Sequence, residues 1–527
     1  MTAQHHAEQR DPRTVFFETR TPKIFLLLNA VLSLAYFFAI AFLFPIGNPL
    51  LFALLIMGEI FHVFQVLSFI YTIWETDHVF PKDSGYAPSL NVFITVAGEP
   101  VELVAETVRA AREMRYHGKK EVYVLNDGFV AKKDNWREIE VMARQLGARC
   151  ITRTVPGGAK AGNINNALAQ TQGELVAIFD ADHVPHEDFL EKTVPYLAPK
   201  NVGFVQTPQF YKNFGQNHVT RGSWDQQQLF FGPICKGKNR LNAATMCGTN
   251  MVIRRQALHD VNGMCTESIA EDFVTGLFMH ARGYRSVYVP EVLAEGLATE
   301  DLLTYTKQQF RWARGALDVI FRYNPLVLPG LTTAQRIQYL ASASFYLSGI
   351  VIAIDALLPL VYFYTGLIPL AVSGMLLAAV FLPYMVLTLY VVQRSSNFTF
   401  TFPSLAFSMV SFGINIAALA SAMTRRAAAF VITPKQQQRG NFIRLVRIHI
   451  AYDVLIALGI GVAIVRDGVT ASLINNAAWG IVTAIVTIPF IQAALPQPAS
   501  RQAEADNAQR ELAPSTAAQP RMHSAAV

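Results

Sequence analysis

Charge is what this chain has little of. Lys, Arg, Asp and Glu make up 16% of its 527 residues, against roughly 25% in an average soluble protein. With 52% hydrophobic residues, that scarcity excludes both a disordered chain and one large soluble enzyme. Cysteine is scarce as well: there are four, Cys150, Cys235, Cys247 and Cys265. They show no Cys-x-x-Cys spacing and no disulfide framework, which points to a reduced, cytoplasmic setting for that region. No internal repeat is visible. The net charge of +6 does not signal nucleic acid, because the Lys and Arg residues are spread out and gather beside apolar segments, as membrane-flanking cations do.

What is abundant is long apolar sequence. After a polar segment, 1–22, the uncharged run from Ile24 to Phe44 is long enough, at ~1.5 Å per residue, to cross the ~30 Å hydrocarbon core. It exceeds a signal-peptide core and lacks a small-x-small cleavage site, so it reads as an uncleaved span. Pro45-Ile-Gly-Asn-Pro49 turns the chain and Leu50 to Trp74 returns, making 23–75 a transmembrane hairpin. Tyr339–Tyr364 and Leu367–Val392 form two spans within 336–392, and Ile448–Val465 and Ala477–Leu495 two more within 443–495. The apolar segment 402–424 carries Ser404, Ser408, Ser411, Asn415 and Ser421 and is assigned to the interface. That choice keeps Arg425, Arg426, Lys435, Arg439, Arg444 and Arg447 on the soluble domain's side. The uncharged links 45–49 and 363–367 then face outward, as the positive-inside rule prefers. The expectation is six spans with both termini cytoplasmic. Residues 496–527, rich in Ala, Gln, Pro and Ser, are expected to be disordered, with no room for another folded domain. Asn397-Phe-Thr399 matches a glycosylation pattern by chance on this topology.

Between the hairpin and the later spans the character changes to α/β. Strands are predicted at 90–96, 121–126, 149–154, 174–180 and 202–206, with helices at 101–116, 134–147 and 160–171. This alternation implies a mostly parallel sheet over 88–300 with ligands beyond its carboxyl edge. Residues 301–335 follow as an amphipathic interfacial helix, where Leu303, Phe310 and Leu317 recur at helical spacing.

The sharpest motif is Phe179-Asp-Ala-Asp-His183, directly after the apolar run Leu175–Phe179. It sets Asp180 and Asp182 at the ligand edge, where carboxylates can hold a divalent cation against a nucleotide diphosphate. Leu125-Asn-Asp127-Gly128 ends an earlier strand with an acid suited to a base or ribose. Lys160-Ala-Gly-Asn163 opens a helix, where a lysine and free N–H groups favour phosphate. Each of these two also reads, alone, as an ordinary βα turn. Ala270-Glu271-Asp272 offers a general base for activating a hydroxyl, or a solvated acidic turn. Met246-Cys-Gly-Thr-Asn250 has the small and polar groups of an acceptor site, or of a plain turn. In Gln308-Gln-Phe-Arg-Trp312, Arg311 suits a pyrophosphate and Trp312 a sugar ring, although interfacial helices carry such residues routinely.

Together and in this order, these residues resemble the processive family 2 glycosyltransferases, the cellulose synthase-like membrane enzymes. Phe231-Gly-Pro233 and Cys247-Gly-Thr-Asn250 share that likeness, and Phe430-Val-Ile-Thr433-Pro-Lys435 resembles the family's gating loop, here 425–440. The resemblance spans roughly 88–440 and the flanking helices. It implies a GT-A-like cytoplasmic nucleotide-sugar domain inserted between membrane helices, with Mg²⁺ or Mn²⁺ as cofactor. The implied activity is inverting transfer of glucose from UDP-glucose to a growing β-glucan, exported across the cytoplasmic membrane. By the same resemblance Asp127 contacts the nucleoside with Lys160 nearby, Asp180 faces the ribose and diphosphate, and Asp182 ligates the cation. Asp272 is the base; Gln308, Arg311 and Trp312 hold diphosphate and acceptor; Thr433 and Lys435 close over the donor. Glu99, Glu271, Cys247, Gly248 and Thr249 complete the substrate-binding set.

Departures from the family pattern are Ala97 and Gly98 in the early Thr-Tyr-Asn-Glu-like segment, Asn126 for a common Asp, and Ala270 for Thr. The Ile94–Pro100 variant looks closer to curdlan-type (1→3)-β-glucan synthases than to cellulose synthases. No signature of a cyclic-di-GMP module is found, so activation by that messenger is not expected. Expected partners are the UDP-sugar, the polysaccharide, the bilayer and accessory export subunits, with no nucleic acid. Glu59, Asp355 and Asp453 fall inside spans, where charge is costly and tends to face polar cavities; they either line the polysaccharide path or, for Asp453, sit near an interface. Transfer of a single sugar to a lipid phosphate, and a transporter regulated by a nucleotide sugar, are the rival readings.

Overall fold

Leu90–Val96 (β1) is buried at every position, as a strand covered on both faces must be. It is the centre of the molecule. The computed structural model describes residues 20–424 and 440–496. In it β1 pairs in parallel with Lys120–Asn126 (β2) on one side and Leu175–Asp180 (β4) on the other. Arg149–Thr152 (β3) adds to β2, also in parallel. The connecting helices are Val101–Glu113 (α3), Trp136–Gln145 (α4) and Ala159–Leu168 (α5). They bury Val104, Val108, Ile139 and Ile164 against the sheet, an arrangement that carries the carboxyl ends of all four parallel strands to one edge.

Sheet growth then changes direction. Beyond β4 comes Met251–Arg254 (β8), antiparallel both to β4 and to Val202–Gln206 (β6). Arg285–Tyr288 (β9) closes the order β3-β2-β1-β4-β8-β6-β9. A small second sheet joins Val184–Pro185 (β5), Phe210–Tyr211 (β7) and Ala294–Gly296 (β10), beside the turn that follows β4. The α/β expectation is met, and the predicted strands agree closely. The antiparallel β8 was not anticipated: its four residues directly follow the Met246–Asn250 turn, and no strand was predicted beyond 202–206.

Among the described residues, seven helical stretches are long and apolar enough to cross a membrane. Lys23–Phe38 (α1), continuing to Leu43, and Pro49–Ile73 (α2) form the hairpin. Thr333–Ser344 (α9) runs into Ser348–Thr365 (α10), one stretch that starts before the predicted Tyr339. Gly374–Ser395 (α11) begins later than the predicted Leu367, because Gly366 ends α10 in the left-handed conformation and Ser373 caps the next helix. The intervening residues pair instead with the hairpin turn, Asn48 N–H donating to Ile368 O at 2.8 Å. Arg447–Asp467 (α14) and Ala471–Ala494 (α15) complete the set with segment 402–423.

That segment is broken at Ser411 into Phe402–Val410 (α12) and Phe412–Met423 (α13). The two halves pack on the α/β domain through His218–Leu229 (α6) and Leu302–Asp318 (α8), and also on α15 and α10. Ala313 and Leu317 of α8 cluster with Ala418, Leu419 and Ala422 of α13. The predicted gating-loop residues Thr433 and Lys435 lie outside the described residues.

Candidate active site

At the carboxyl edge of the parallel strands lies a cleft of about 330 Å³. Glu99, Asp127, Lys160, Asp180, Asp182, Cys247, Gly248, Glu271, Asp272, Gln308, Arg311 and Trp312 all line it. Of the described candidates, Thr249 alone does not. Its buried hydroxyl accepts the Asp180 N–H at 2.9 Å, so it stands behind the acid and holds the strand end in place.

Asp127 leaves the end of β2 over a turn shaped by Asn126. That buried amide donates to Trp136 O at 2.8 Å and accepts the Gly128 N–H at 2.9 Å, so an asparagine, which both donates and accepts, suits this position. Arg153, just past β3, was missed from the sequence. Its Nε is 2.8 Å from Asp127 Oδ1 and its Nη2 2.6 Å from Oδ2, a two-point clamp of the kind guanidinium geometry favours. Burial raises the Asp127 pKa, and Arg153 only partly offsets it.

Asp180 ends β4 and meets Lys160, the second residue of α5, in an ion pair. Burial alone would push the Asp180 carboxyl up, but the Lys160 ammonium, aided by His183, holds it below the usual range. Lys160 also donates to Gly248 O at 2.8 Å. Burial works against its charge too, yet Asp180, Glu271 and Asp272 together keep its pKa raised. Asp182 is buried in the turn, accepting the Leu297 N–H at 3.3 Å from beside β10. Tyr211 of β7 lines the same cleft.

The opposite wall comes from the antiparallel half. Gln206, at the end of β6, donates to Thr249 O at 2.8 Å and accepts the Cys247 N–H at 2.9 Å, pinning the loop before β8. Gly248 there has φ +77°, and a Cβ on it would lie 2.7 Å from Asp272 Oδ2 and 3.5 Å from Lys160 Nζ. Both the left-handed backbone and the missing side chain are required.

Glu271 and Asp272 open helix Glu271–Ala281 (α7). Asp272 Oδ1 accepts the Phe273 N–H at 2.7 Å, which orients the carboxylate. Burial, then repulsion from Asp272, pushes Glu271 up to about 7. Burial raises Asp272 as well, against the pull of Lys160 and Arg311. Gln308, Arg311 and Trp312 share one face of α8 at i, i+3 and i+4 spacing. What brings that helix to α7 is Gly315, where a Cβ would meet the Ala270 Cβ at 2.3 Å. The sequence reading missed Gly315, as it missed Gln206 and Tyr211; each matters through a contact with a residue distant in the chain.

Residues 88–315 match the family model for a glycosyltransferase-like family 2 domain, and residues 259–396 match the cellulose synthase model. Residues 88–315 are therefore similar to a family 2 glycosyltransferase domain. Bacterial cellulose synthase catalytic subunits (UDP-forming) are among its relatives. That of Xanthomonas axonopodis pv. citri is 35% identical over 297 residues, covering 55% of this chain and 40% of the relative. That of Pseudomonas fluorescens is 35% identical over 305 residues, 57% of this chain and 40% of the relative. The matched part thus spans well under half of either relative. A mannosyltransferase of Pyrobaculum calidifontis, solved with GDP-mannose and Mn²⁺, overlays with a TM-score of 0.50 at 19% identity, covering 72% of this chain and all of that one. The likeness establishes the GT-A-like fold of the glycosyltransferase domain.

Proposed function

We propose that this protein is a processive, inverting glycosyltransferase of the cytoplasmic membrane, which extends a β-glucan from UDP-glucose and passes it outward through its membrane helices. One observation carries the reading. Acids from β2, β4 and α7 face a single cleft whose further wall, α8, also packs on the apolar helix α13. A chain elongated there would leave beside the membrane helices.

In this reading Asp127 receives the nucleoside, while Lys160 and Arg311 counter the charge of the diphosphate. Asp180 and Asp182 supply hard carboxylate oxygens, a donor set that fits Mg²⁺ or Mn²⁺. When bound, such a cation neutralises the diphosphate and eases its departure. Asp272 takes the acceptor hydroxyl proton; its raised pKa makes it a stronger base than a solvent-exposed carboxylate. Cys247, Gly248 and Trp312 bound the acceptor side. The catalytic domain is cytoplasmic.

We place 402–423 in the interface rather than across the membrane. Although its 22 residues are long enough to span, the helix breaks at Ser411 and its halves pack on α6 and α8. Buried Ser404, Ser411 and Asn415 agree with that position.

The test is Asp272→Asn. Sugar transfer by membranes supplied with UDP-glucose should fall by at least about 10³-fold, while UDP binding stays near the unmodified level. Retained transfer defeats the assignment. Digesting the product with linkage-specific glucanases distinguishes a (1→4) from a (1→3) polymer, and a single added sugar would favour the lipid-phosphate rival.

A further inference from the structure

Outside the cleft, the apolar helices hold a second group of titratable side chains. Glu59 and His62 lie one turn apart on α2, Asp355 is on α10, and Tyr36 and Tyr384 are on α1 and α11. Both oxygens of the buried Glu59 are engaged. Tyr36 donates its phenol proton to Oε1 at 2.7 Å, and His62 Nδ1 stands 3.4 Å from Oε2. The other ring nitrogen, Nε2, is 3.6 Å from Asp355 Oδ2. One imidazole therefore bridges two carboxylates on two different helices. The Tyr36 ring stacks on Tyr384 at 5.0 Å and closes the Glu59 end.

Charge decides what the cluster must hold. Among the described residues no lysine or arginine pairs with either carboxylate. One imidazolium against two carboxylates leaves a net negative charge between membrane helices, where uncompensated charge is costly. One further cation restores neutrality. A metal ion is a poor candidate, because both His62 nitrogens are already turned to acids and one Glu59 oxygen to the Tyr36 phenol.

We propose that Glu59, His62 and Asp355 form an intramembrane proton-binding site, holding one proton on the imidazole and a second on a carboxyl. The second is assigned to Asp355, because both Glu59 oxygens are already engaged, by the Tyr36 phenol and the His62 ring. The Asp355 side chain is 22% exposed, against 9% for Glu59, so Asp355 is the less enclosed of the two acids. None of these groups lines the catalytic cleft.

Infrared spectroscopy of the full-length protein in lipid nanodiscs tests this directly. In a Glu271→Gln background, which removes the cleft acid pushed up to about 7, the protein should show a protonated-carboxyl C=O stretch at neutral pH, shifted down in D₂O, that Asp355→Asn removes. His62→Gln, which leaves two acids facing each other without their bridge, should enlarge that band about twofold. Should Asp355→Asn not fold, Asp355→Glu takes its place and should keep the band at an altered frequency. A band unchanged in Asp355→Asn, or unmoved in Asp355→Glu, overturns the proposal. So does a band that sodium or potassium chloride abolishes at constant pH, since the site would then take an alkali cation.

Discussion

Arg153 grips Asp127 with two guanidinium nitrogens, at 2.8 and 2.6 Å, while its third, Nη1, donates to the Gly157 carbonyl. One side chain thereby ties the end of β2 to the loop that leads into α5. Removing one partner of a buried ion pair typically costs about 3–5 kcal/mol, because the other charge is left uncompensated. In Arg153→Gln the Asp127 carboxyl should lose its orientation and take up a proton. UDP should bind at least about tenfold more weakly by calorimetry, with kcat reduced less than the affinity. An unchanged UDP affinity would remove Asp127 from the nucleoside site.

Gly248 separates Lys160 from Asp272. A methyl group there meets a carboxylate oxygen at 2.7 Å on a backbone with φ +77°, so Gly248→Ala must displace either the loop or the base. Transfer should drop by about 10²-fold or more, as misplacement of about 1 Å can cause. Circular dichroism should stay near that of the unmodified protein.

The acid pair at the start of α7 gives transfer a pH signature. A general base works deprotonated, so a raised pKa moves the acid limb of kcat/KM upward. That limb should lie above the ordinary carboxylate range of about 4. Glu271→Gln removes the group pushed up to about 7 and should leave a single limb belonging to Asp272, still elevated by burial. A limb at the ordinary carboxylate position would show that Asp272 is solvated during turnover.

His280 provides a pH signature in stability rather than rate. Its ring nitrogens lie 2.7 Å from the Tyr339 hydroxyl and 2.8 Å from the Ser286 hydroxyl. Burial, with Lys238 adding to it, pushes the imidazole down to about 3. Unfolded, it titrates near 6.5. Between those values the unfolded chain binds the extra proton, so stability is full above about pH 6.5 and declines as pH falls toward 3. The thermal unfolding midpoint in detergent should therefore fall on acidification from about pH 8 to 5. His280→Gln should fall less over the same range.

Much of the fold was legible because it is written locally. β1 and β6 occupy the predicted residues, since a short apolar run bounded by turns can be little else in an α/β pattern. β8 was not legible: Met-Val-Ile-Arg is too short to declare itself, and its antiparallel place between β4 and β6 comes from pairing with strands far along the chain. The helix at 402–423 shows the opposite limit. Its composition left spanning and lying flat both open, whereas the break at Ser411 and the packing on α6 and α8 are properties of the folded chain.

The site divides in the same way. Apolar periodicity, strand ends and the spacing of Asp180, Asp182, Asp272 and Arg311 are one-dimensional features, because burial and helical or strand repeat act on neighbours along the chain. They sufficed to place an anion-handling cleft at a sheet edge between apolar helices. Arg153 reaching Asp127, Gln206 pinning Cys247 and Gly315 admitting Ala270 are contacts across elements. Sheet order and helix packing bring those atoms together, and no local propensity records a distance between residues that meet only when the chain closes.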